Sequence, residues 1–328
     1  MNYFITQDWS STHGNHAGMT HLCNLIKSKY KYEVCHIVVP DFNIKYTRPI
    51  YHLIYLYIAI MMCFKVKEHD RVYLMEYLDP ARRQDFVSRL LRKFSKARII
   101  GLVHFVPEDL DCFFKQDETI IEWCSHVDAI MTLGSSLTCY LKQRGVACPI
   151  NTAFHYVDHD YYSPNLRSYN NRLKALFMGS MKRDYQSLEK IVKECPNVDF
   201  IFLKGNSKKD TSYLNKYKNL QVYDYVVEDQ LREIMNMSHI SLNIMYDTIG
   251  SNVITTSLAM GMAMLVSDVG SVRDYCNESN AIFCKNIDDF VEALNHLTFD
   301  QVQEMSKNAT CVSMKLSFEK FYNLILRY

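Results

Sequence analysis

The chain is poor in the features that mark several protein classes. Its 11 cysteines are scattered through 328 residues and form no Cys-x-x-Cys pair. Many, such as Cys35, Cys63 and Cys139, sit in apolar runs. They read as reduced core thiols, not as a disulfide framework or a zinc site. An excess of one charge is also missing. The 37 basic and 36 acidic residues leave a formal +1, which argues against a nucleic-acid binder driven by bulk charge. No unbroken apolar run reaches the ~20 residues that span a bilayer. The longest, LIYLYIAIMMCF at 53–64, reads as a helix buried on a sheet face, with a monotopic membrane contact as the alternative. The first residues, MNYFITQDWS, have no basic segment and no long apolar core, so no signal peptide is expected and the protein is expected to be cytoplasmic. No internal repeat or low-complexity tract is present.

Apolar residues make up 48% and charged residues 22% of the chain, ordinary values for a soluble globular protein. The length is large for one hydrophobic core, so two domains are the default. Short apolar strand candidates alternate with helical patterns: NYFIT, EVCHIVV, RVYLMEY, ARIIGLVH, AIMTLG and PINTAF. A polar stretch follows, HDYYSPNLRSYNNR at 159–172. The alternation then restarts with LKALFMG, VDFIFLKG, LQVYDY, HISLNIM, AMLVSD and NAIFCK. Near-continuous apolar strands separated by helices indicate parallel sheets covered on both faces. The expected fold is therefore α/β, with two Rossmann-like domains whose parallel sheets face a central cleft. Ligands of such sheets bind beyond the carboxyl ends of the strands. The loops to search are those at 6–18, 104–109, 179–184 and 247–256.

In MYDTIGSNVITTSLAMG, Ser251 or Asn252 is a good N-cap for the next helix. Gly250 removes a side chain just before it, and Thr255 and Thr256 add hydroxyls in the first turn. Such a helix start favours an anion, usually a phosphate. The plainer reading is a capped helix whose Gly261 allows close packing on a strand. In LFMGSMKRDYQSL, a strand ends at Gly179, and Lys182 and Arg183 precede the next helix. Cations oppose a helix N-terminus unless an anion sits between, and the fork of Arg matches a diphosphate. The alternative is a solvated basic turn. His104 and Glu76 stand at strand ends. The His suits a hydroxyl partner, and a Glu after four apolar residues is costly to bury alone. In SSTHGNHAGMTHL, Gly14 and Gly18 either let backbone approach a ligand or make a flexible loop. In ARRQDFVSRLLRKFSKAR, Phe86, Val87, Leu90, Leu91 and Phe94 share a helical face, while Arg82, Arg83, Arg89, Arg92, Lys93 and Lys96 occupy the rest. This basic amphipathic helix either packs on the sheet with a solvated face or attaches peripherally to anionic lipid.

The stretches TTSLAMGMAMLVSDVGSVRDY, FMGSMKRDYQSLEKIVKECPNVDFIFLKG, VDAIMTLGSSLTCYLKQRGV, FHYVDHDYYSP, LVHFVPEDL and LSFEKFYNLILRY, taken together, resemble the family 4 glycosyltransferases, which have the GT-B fold. The resemblance implies an acceptor-binding domain at 1–158, a nucleotide-sugar-binding domain at 171–315, and a closing helix at 316–328 that packs back on the N-terminal domain. It implies a retaining glycosyltransferase with a nucleotide-diphosphate sugar as donor, no metal and no other cofactor. It also implies a glycan or lipid-linked acceptor in surface polysaccharide or glycoconjugate synthesis. The basic helix at 86–96, with the apolar run at 53–64 as a second surface, adds an expected peripheral contact with the inner face of an anionic membrane. The diphosphate cation falls on Arg183, with Lys182 as the alternative. The active-site His falls on His104, and the Gly-rich N-terminal loop falls at Gly14 to Gly18. The family's Glu-x7-Glu places hold Thr248 and Thr256. A sugar-nucleotide epimerase of the same fold and a non-catalytic nucleotide-sugar binder are the alternatives.

Overall fold

The computed structural model describes every residue except 9–15, 43–47, 170–171, 206, 208–209 and 328. The chain divides into two compact units, Met1–Phe154 with Phe318–Tyr328, and His155–Ser317. Each is a six-stranded parallel sheet with helices in the crossovers. The twelve strand stretches read from the sequence are the twelve strands found among the described residues.

The first unit runs β1 Asn2–Gln7, α1 Gly18–Lys29, β2 Val34–Val39, α2 Arg48–Lys65, β3 Arg71–Leu74, α3 Asp85–Phe94, β4 Arg98–Val103, α4 Pro107–Phe113, α5 Asp117–Ser125, β5 Ala129–Thr132, α6 Ser135–Gln143 and β6 Ile150–Thr152. A last helix, α12 Phe318–Ile325, belongs to this unit. Its Tyr322 hydroxyl accepts from Asn2 Nδ2 at 2.9 Å, and its Phe321 ring meets Phe154 edge-on. The strand order is β2-β1-β3-β4-β5-β6. The chain leaves β1 in one direction and returns to its other side with β3, so the sheet reverses its winding between β1 and β3.

The second unit runs β7 Lys174–Met178, α7 Tyr185–Glu194, β8 Asp199–Leu203, β9 Leu220–Tyr223, α8 Glu228–Met237, β10 Ile240–Asn243, α9 Asn252–Ala259, β11 Ala263–Ser267, β12 Ala281–Cys284, α10 Ile287–His296 and α11 Phe299–Ser313. The order β12-β11-β10-β7-β8-β9 reverses between β7 and β10. One face of this sheet is filled by Phe177, Phe200, Phe202, Leu242 and Leu265 against Leu188 and Ile191. Burying each such side chain contributes roughly 1.5–3 kcal/mol. Polar residues start the helices: Asp184 caps α7, Ser251 caps α9, and Asn286 and Thr298 close capping boxes with Asp289 and Gln301.

Two expectations for the first unit change. The apolar run at 53–64 forms α2, but α2 is buried on one face only. Tyr51, Tyr55, Ile58, Ala59 and Met62 face the core, while Leu53 is 68% and Phe64 is 89% exposed. A run with no polar residue has no polar face to turn outward, so half of its apolar surface meets water. The basic face of α3 and its flanks is largely neutralised. Arg82 reaches Asp79 at 4.0 Å, Arg83 and Arg89 share the buried Asp85, Arg89 also pairs with Glu122, Arg92 pairs with Asp128, and Lys96 pairs with Glu68. Phe94, read as part of the apolar face, is exposed.

Candidate functional site

In doubly wound sheets the crevice for a ligand opens where the winding reverses, beyond the strands' carboxyl ends. The reversal in the second unit lies between β7 and β10, and the loops after those two strands are clipped together there. Arg183 and Met245 form an antiparallel bridge, Asp184 N donates to Ile244 O at 3.0 Å, and Tyr246 N donates to Lys182 O at 2.9 Å. Lys182 sits in the left-handed region at φ 52°, a conformation that costs a bulky residue roughly 1 kcal/mol or more.

The solvated basic turn is not what forms. Asp184, not a cation, receives the first amides of α7, from Gln186 and Ser187 at 3.1 Å. Arg183 turns inward and is 4% exposed. Its Nη1 donates to Asn243 Oδ1 at 3.0 Å, and its buried Nε meets no acceptor. Among the described residues no carboxylate pairs with it. Burial pushes its pKa down to about 10, so it keeps its charge at neutral pH. A buried charge without a counter-ion is costly, and an anion beside it would remove that cost.

Gly179, at φ 91°, lies against this guanidinium. A Cβ there would stand 3.0 Å from Val253 Cγ2 and 3.3 Å from Arg183 Nε. The glycine therefore brings the end of β7, the guanidinium and the first turn of α9 together. Ser251 caps α9, its Oγ accepting from Ile254 N at 3.3 Å. The amides ahead of Ile254, on Asn252 and Val253, belong to the donors that a helix start leaves without intrahelical partners.

The rest of the Gly250–Thr256 stretch has structural work. Gly250, at φ 90°, makes room for the Tyr275 ring, which a Cβ would meet at 2.3 Å. The Tyr275 hydroxyl in turn accepts from His155 N at 2.8 Å. Thr255 is fully buried and donates to Tyr156 O and Asn252 O, both at 3.3 Å. Thr256 donates to Asn252 O at 2.6 Å. Thr248 Oγ1 accepts from Gly250 N at 3.0 Å and so shapes the loop. Gly261 packs against α11, where a Cβ would meet Thr310 Oγ1 at 2.8 Å.

Next to Arg183 along the chain, a cavity of about 410 Å³ is lined by Tyr185, Gln186, Glu189, Asp210, Thr211, Tyr213 and Tyr246. Tyr185 Oη donates to Gly179 O at 2.8 Å, which ties the cavity wall to the glycine.

In the first unit the reversal lies between β1 and β3, and Gln7 and Glu76 stand at their carboxyl ends. Glu76 is buried. Its Oε2 accepts from Gln84 Nε2 at 2.8 Å, and its Oε1 has no partner at hydrogen-bond distance. Gln84 also donates to Ile5 O and Tyr55 Oη, both at 3.4 Å. Burial raises the Glu76 pKa to about 8, so it is a neutral acid at physiological pH. Leu78 and Arg83, in the loop that follows, are the other non-glycine residues with left-handed backbone among those described. His104 directly follows β4, half-buried, with its ring 5.4 Å from that of Phe105. Gly18 opens α1 at φ 81°; Gly14 lies outside the described residues.

Sequence reasoning passed over Gln7, Gln84, Asn243 and Tyr275. Asn243 carried a signal: an amide inside the apolar strand HISLNIM is costly to bury without partners.

Residues 172–300 match the model of the family described as glycosyl transferases group 1. The second unit carries a glycosyl transferases group 1 domain. The whole chain has the GT-B fold, seen in its likeness to solved structures. Sucrose-phosphate synthase from Thermosynechococcus elongatus superposes with a TM-score of 0.76 at 10% identity, over 100% of this chain and 98% of the other. HepE from Anabaena, in complex with UDP and glucose, gives 0.72 at 10% identity over 99% and 98%. A glycosyltransferase from Rickettsia africae ESF-5 gives 0.69 at 11% identity over 99% and 97%. A search of the curated proteins finds no match. In the glycosyltransferase domain, the matched segment contains both clipped loops, Gly179, Arg183, Asn243 and α9.

Proposed function

We propose that the protein moves a sugar from a nucleotide-diphosphate sugar to a glycan or lipid-linked acceptor, with retention of anomeric configuration and without a metal, in surface polysaccharide or glycoconjugate synthesis. One observation carries the reading: a buried guanidinium without a counter-ion lies beside a glycine and the first turn of a capped helix, where the sheet reverses its winding. That arrangement suits the diphosphate of the donor. As the sugar leaves, negative charge grows on the diphosphate. Arg183 and the α9 amides are fixed donors that need no reorganisation to meet it, and they supply the positive potential that a metal supplies elsewhere. The tyrosine-lined cavity is in the size range of small-molecule sites and suits the nucleoside. HepE, solved with UDP-glucose, supports a nucleotide-sugar donor. By the resemblance, His104 is assigned to the reacting sugar. Glu76, as a neutral acid, is assigned to an acceptor hydroxyl.

A lipid-linked acceptor is supported by α2. Ile50, Leu53, Tyr57, Ile60 and Phe64 recur at helical spacing on its exposed side, over roughly 21 Å at 1.5 Å per residue. Exposed Lys65 ends the helix and exposed Lys67 follows it, and each cation near an anionic surface contributes about 1 kcal/mol. The proposed contact is peripheral and reversible, since no helix among the described residues is long and apolar enough to cross a membrane.

A thermal-shift series over nucleoside diphosphates tests the donor. A ligand at 100 times its Kd adds about 2.7 kcal/mol, which moves the melting temperature by several degrees. If none moves it, the reading fails. Excess EDTA should leave transfer intact; loss of rate with rescue by Mn²⁺ would contradict metal independence. A non-catalytic nucleotide-sugar binder is the second reading. It is favoured by Thr256, which stands at a family glutamate position with its hydroxyl spent on Asn252 O. Hydrolysis of the donor by purified protein would rule that reading out.

A further inference from the structure

We propose that Asn243 is a positioning residue: it holds the Arg183 guanidinium through a neutral amide, so that the positive charge stays available to the donor's diphosphate. This rests on the reading that Arg183 binds the diphosphate.

Asn243 is fully buried at the end of β10. Its Oδ1 accepts from Arg183 Nη1 at 3.0 Å. Its Nδ2 donates to Ser241 O at 3.2 Å and Ser241 Oγ at 2.9 Å. The orientation of the amide follows from these partners. Flipped, it would set a donor against a guanidinium and an acceptor against a carbonyl. Ser241 Oγ also lies 2.8 Å from Ser257 Oγ on α9. A buried polar chain therefore runs from Arg183 through Asn243 and Ser241 to the helix whose first turn flanks Gly179. It sets the cation and the helix relative to each other within the second unit.

The choice of amide over carboxylate is what gives this chain its consequence. An Asp at 243 has nearly the same shape and would reach Nη1 equally well. It would also neutralise the guanidinium. Buried ion pairs of this kind are hydrogen-bonded and strong, so the arginine would be held just as firmly with no charge left for a ligand. An amide satisfies the donor and leaves the charge. Among the described residues no acidic side chain comes within ion-pair distance of Arg183 to undo this.

Isothermal titration of the full-length protein with inorganic pyrophosphate, UDP and GDP, and with uridine and guanosine as phosphate-free controls, tests the proposal. Asn243→Asp gains the pair with Arg183 but sets its second oxygen against Ser241 O, so it should fold with a melting temperature within a few degrees of the wild type. It should bind pyrophosphate and whichever diphosphate the wild type binds at least tenfold more weakly, and bind the matching nucleoside unchanged. In an Arg183→Gln background the same substitution should cost little more affinity. Arg183→Gln alone reports on the underlying reading: if it binds diphosphates like the wild type, that reading falls and this proposal with it. If Arg183→Gln loses affinity and Asn243→Asp keeps it, the role of Asn243 alone is overturned. Should Asn243→Asp not fold, Asn243→Ala releases Nη1 and should weaken diphosphate binding selectively. An equal loss for the nucleoside would mark Asn243 as merely structural.

Discussion

Glutamine in place of Glu76 would remove a buried acid while keeping its shape and its contact with Gln84. In the folded unit the Glu76 pKa stands at about 8, against an ordinary 4.5, because burial penalises the carboxylate. Between those two pH values the folded chain holds a proton that the unfolded chain has lost. Folding therefore takes up a proton, and stability falls as pH rises through this window, levelling off above pH 8. At 1.36 kcal/mol per pH unit the full effect approaches about 5 kcal/mol, and we expect roughly 2–5 kcal/mol. His36 acts in the opposite direction. Burial lowers its pKa to about 4, so its contribution is lost as pH falls from its ordinary 6.5 toward 4. The raw profile of the wild type mixes the two, and only the difference from Glu76→Gln isolates Glu76. Urea unfolding at pH 5, 6, 7 and 8 should show the variant more stable at pH 8 by that amount, with the gap closing toward pH 5. Calorimetry should show the same gap as roughly 5–15 °C at pH 8. Parallel profiles, with a gap independent of pH, would refute the buried neutral acid.

Three further outcomes are expected. His104→Ala should keep the melting temperature within a few degrees and lower transfer at least tenfold, because a half-buried side chain at a strand end adds little to the core; a large loss of stability with normal specific activity would make the residue structural. Gly250→Ala should destabilise the second unit by about 2–4 kcal/mol, because its Cβ would overlap the Tyr275 ring and its backbone is left-handed; a melting temperature within one degree of wild type would contradict this. Leu53→Glu with Phe64→Glu should abolish sedimentation with anionic liposomes at low salt while leaving the fold intact, whereas Arg92→Glu should change it little because Asp128 already pairs with that arginine; wild-type protein that ignores such liposomes would favour a soluble acceptor.

Much of the fold was legible from local chemistry. Twelve short apolar runs, each ended by glycine or polar residues and set between helical patterns, read as strands of covered sheets, and crossover helices between them go with parallel pairing. A helix cap at Ser251 or Asn252 was legible on residue type alone, and the structure makes it Ser251. The direction of a side chain was not legible. The stretch MKRDY shows two cations before a helix, but only packing decided that Asp184 would take the helix amides and that Arg183 would turn inward to Asn243, sixty residues away. Likewise, Gly250 advertises a close approach without saying to what. The answer, the Tyr275 ring, comes from a loop beyond the next strand. Several charges of α3 and its flanks looked free in one dimension because partners such as Glu68, Glu122 and Asp128 lie far along the chain, outside the helix. Periodicity and capping depend on neighbours within a few residues, so the sequence by itself determines strands, helices and their ends. Which charge is buried, which is paired and which glycine is indispensable depend on groups brought together only when the sheet reverses its winding, and those the tertiary structure decided.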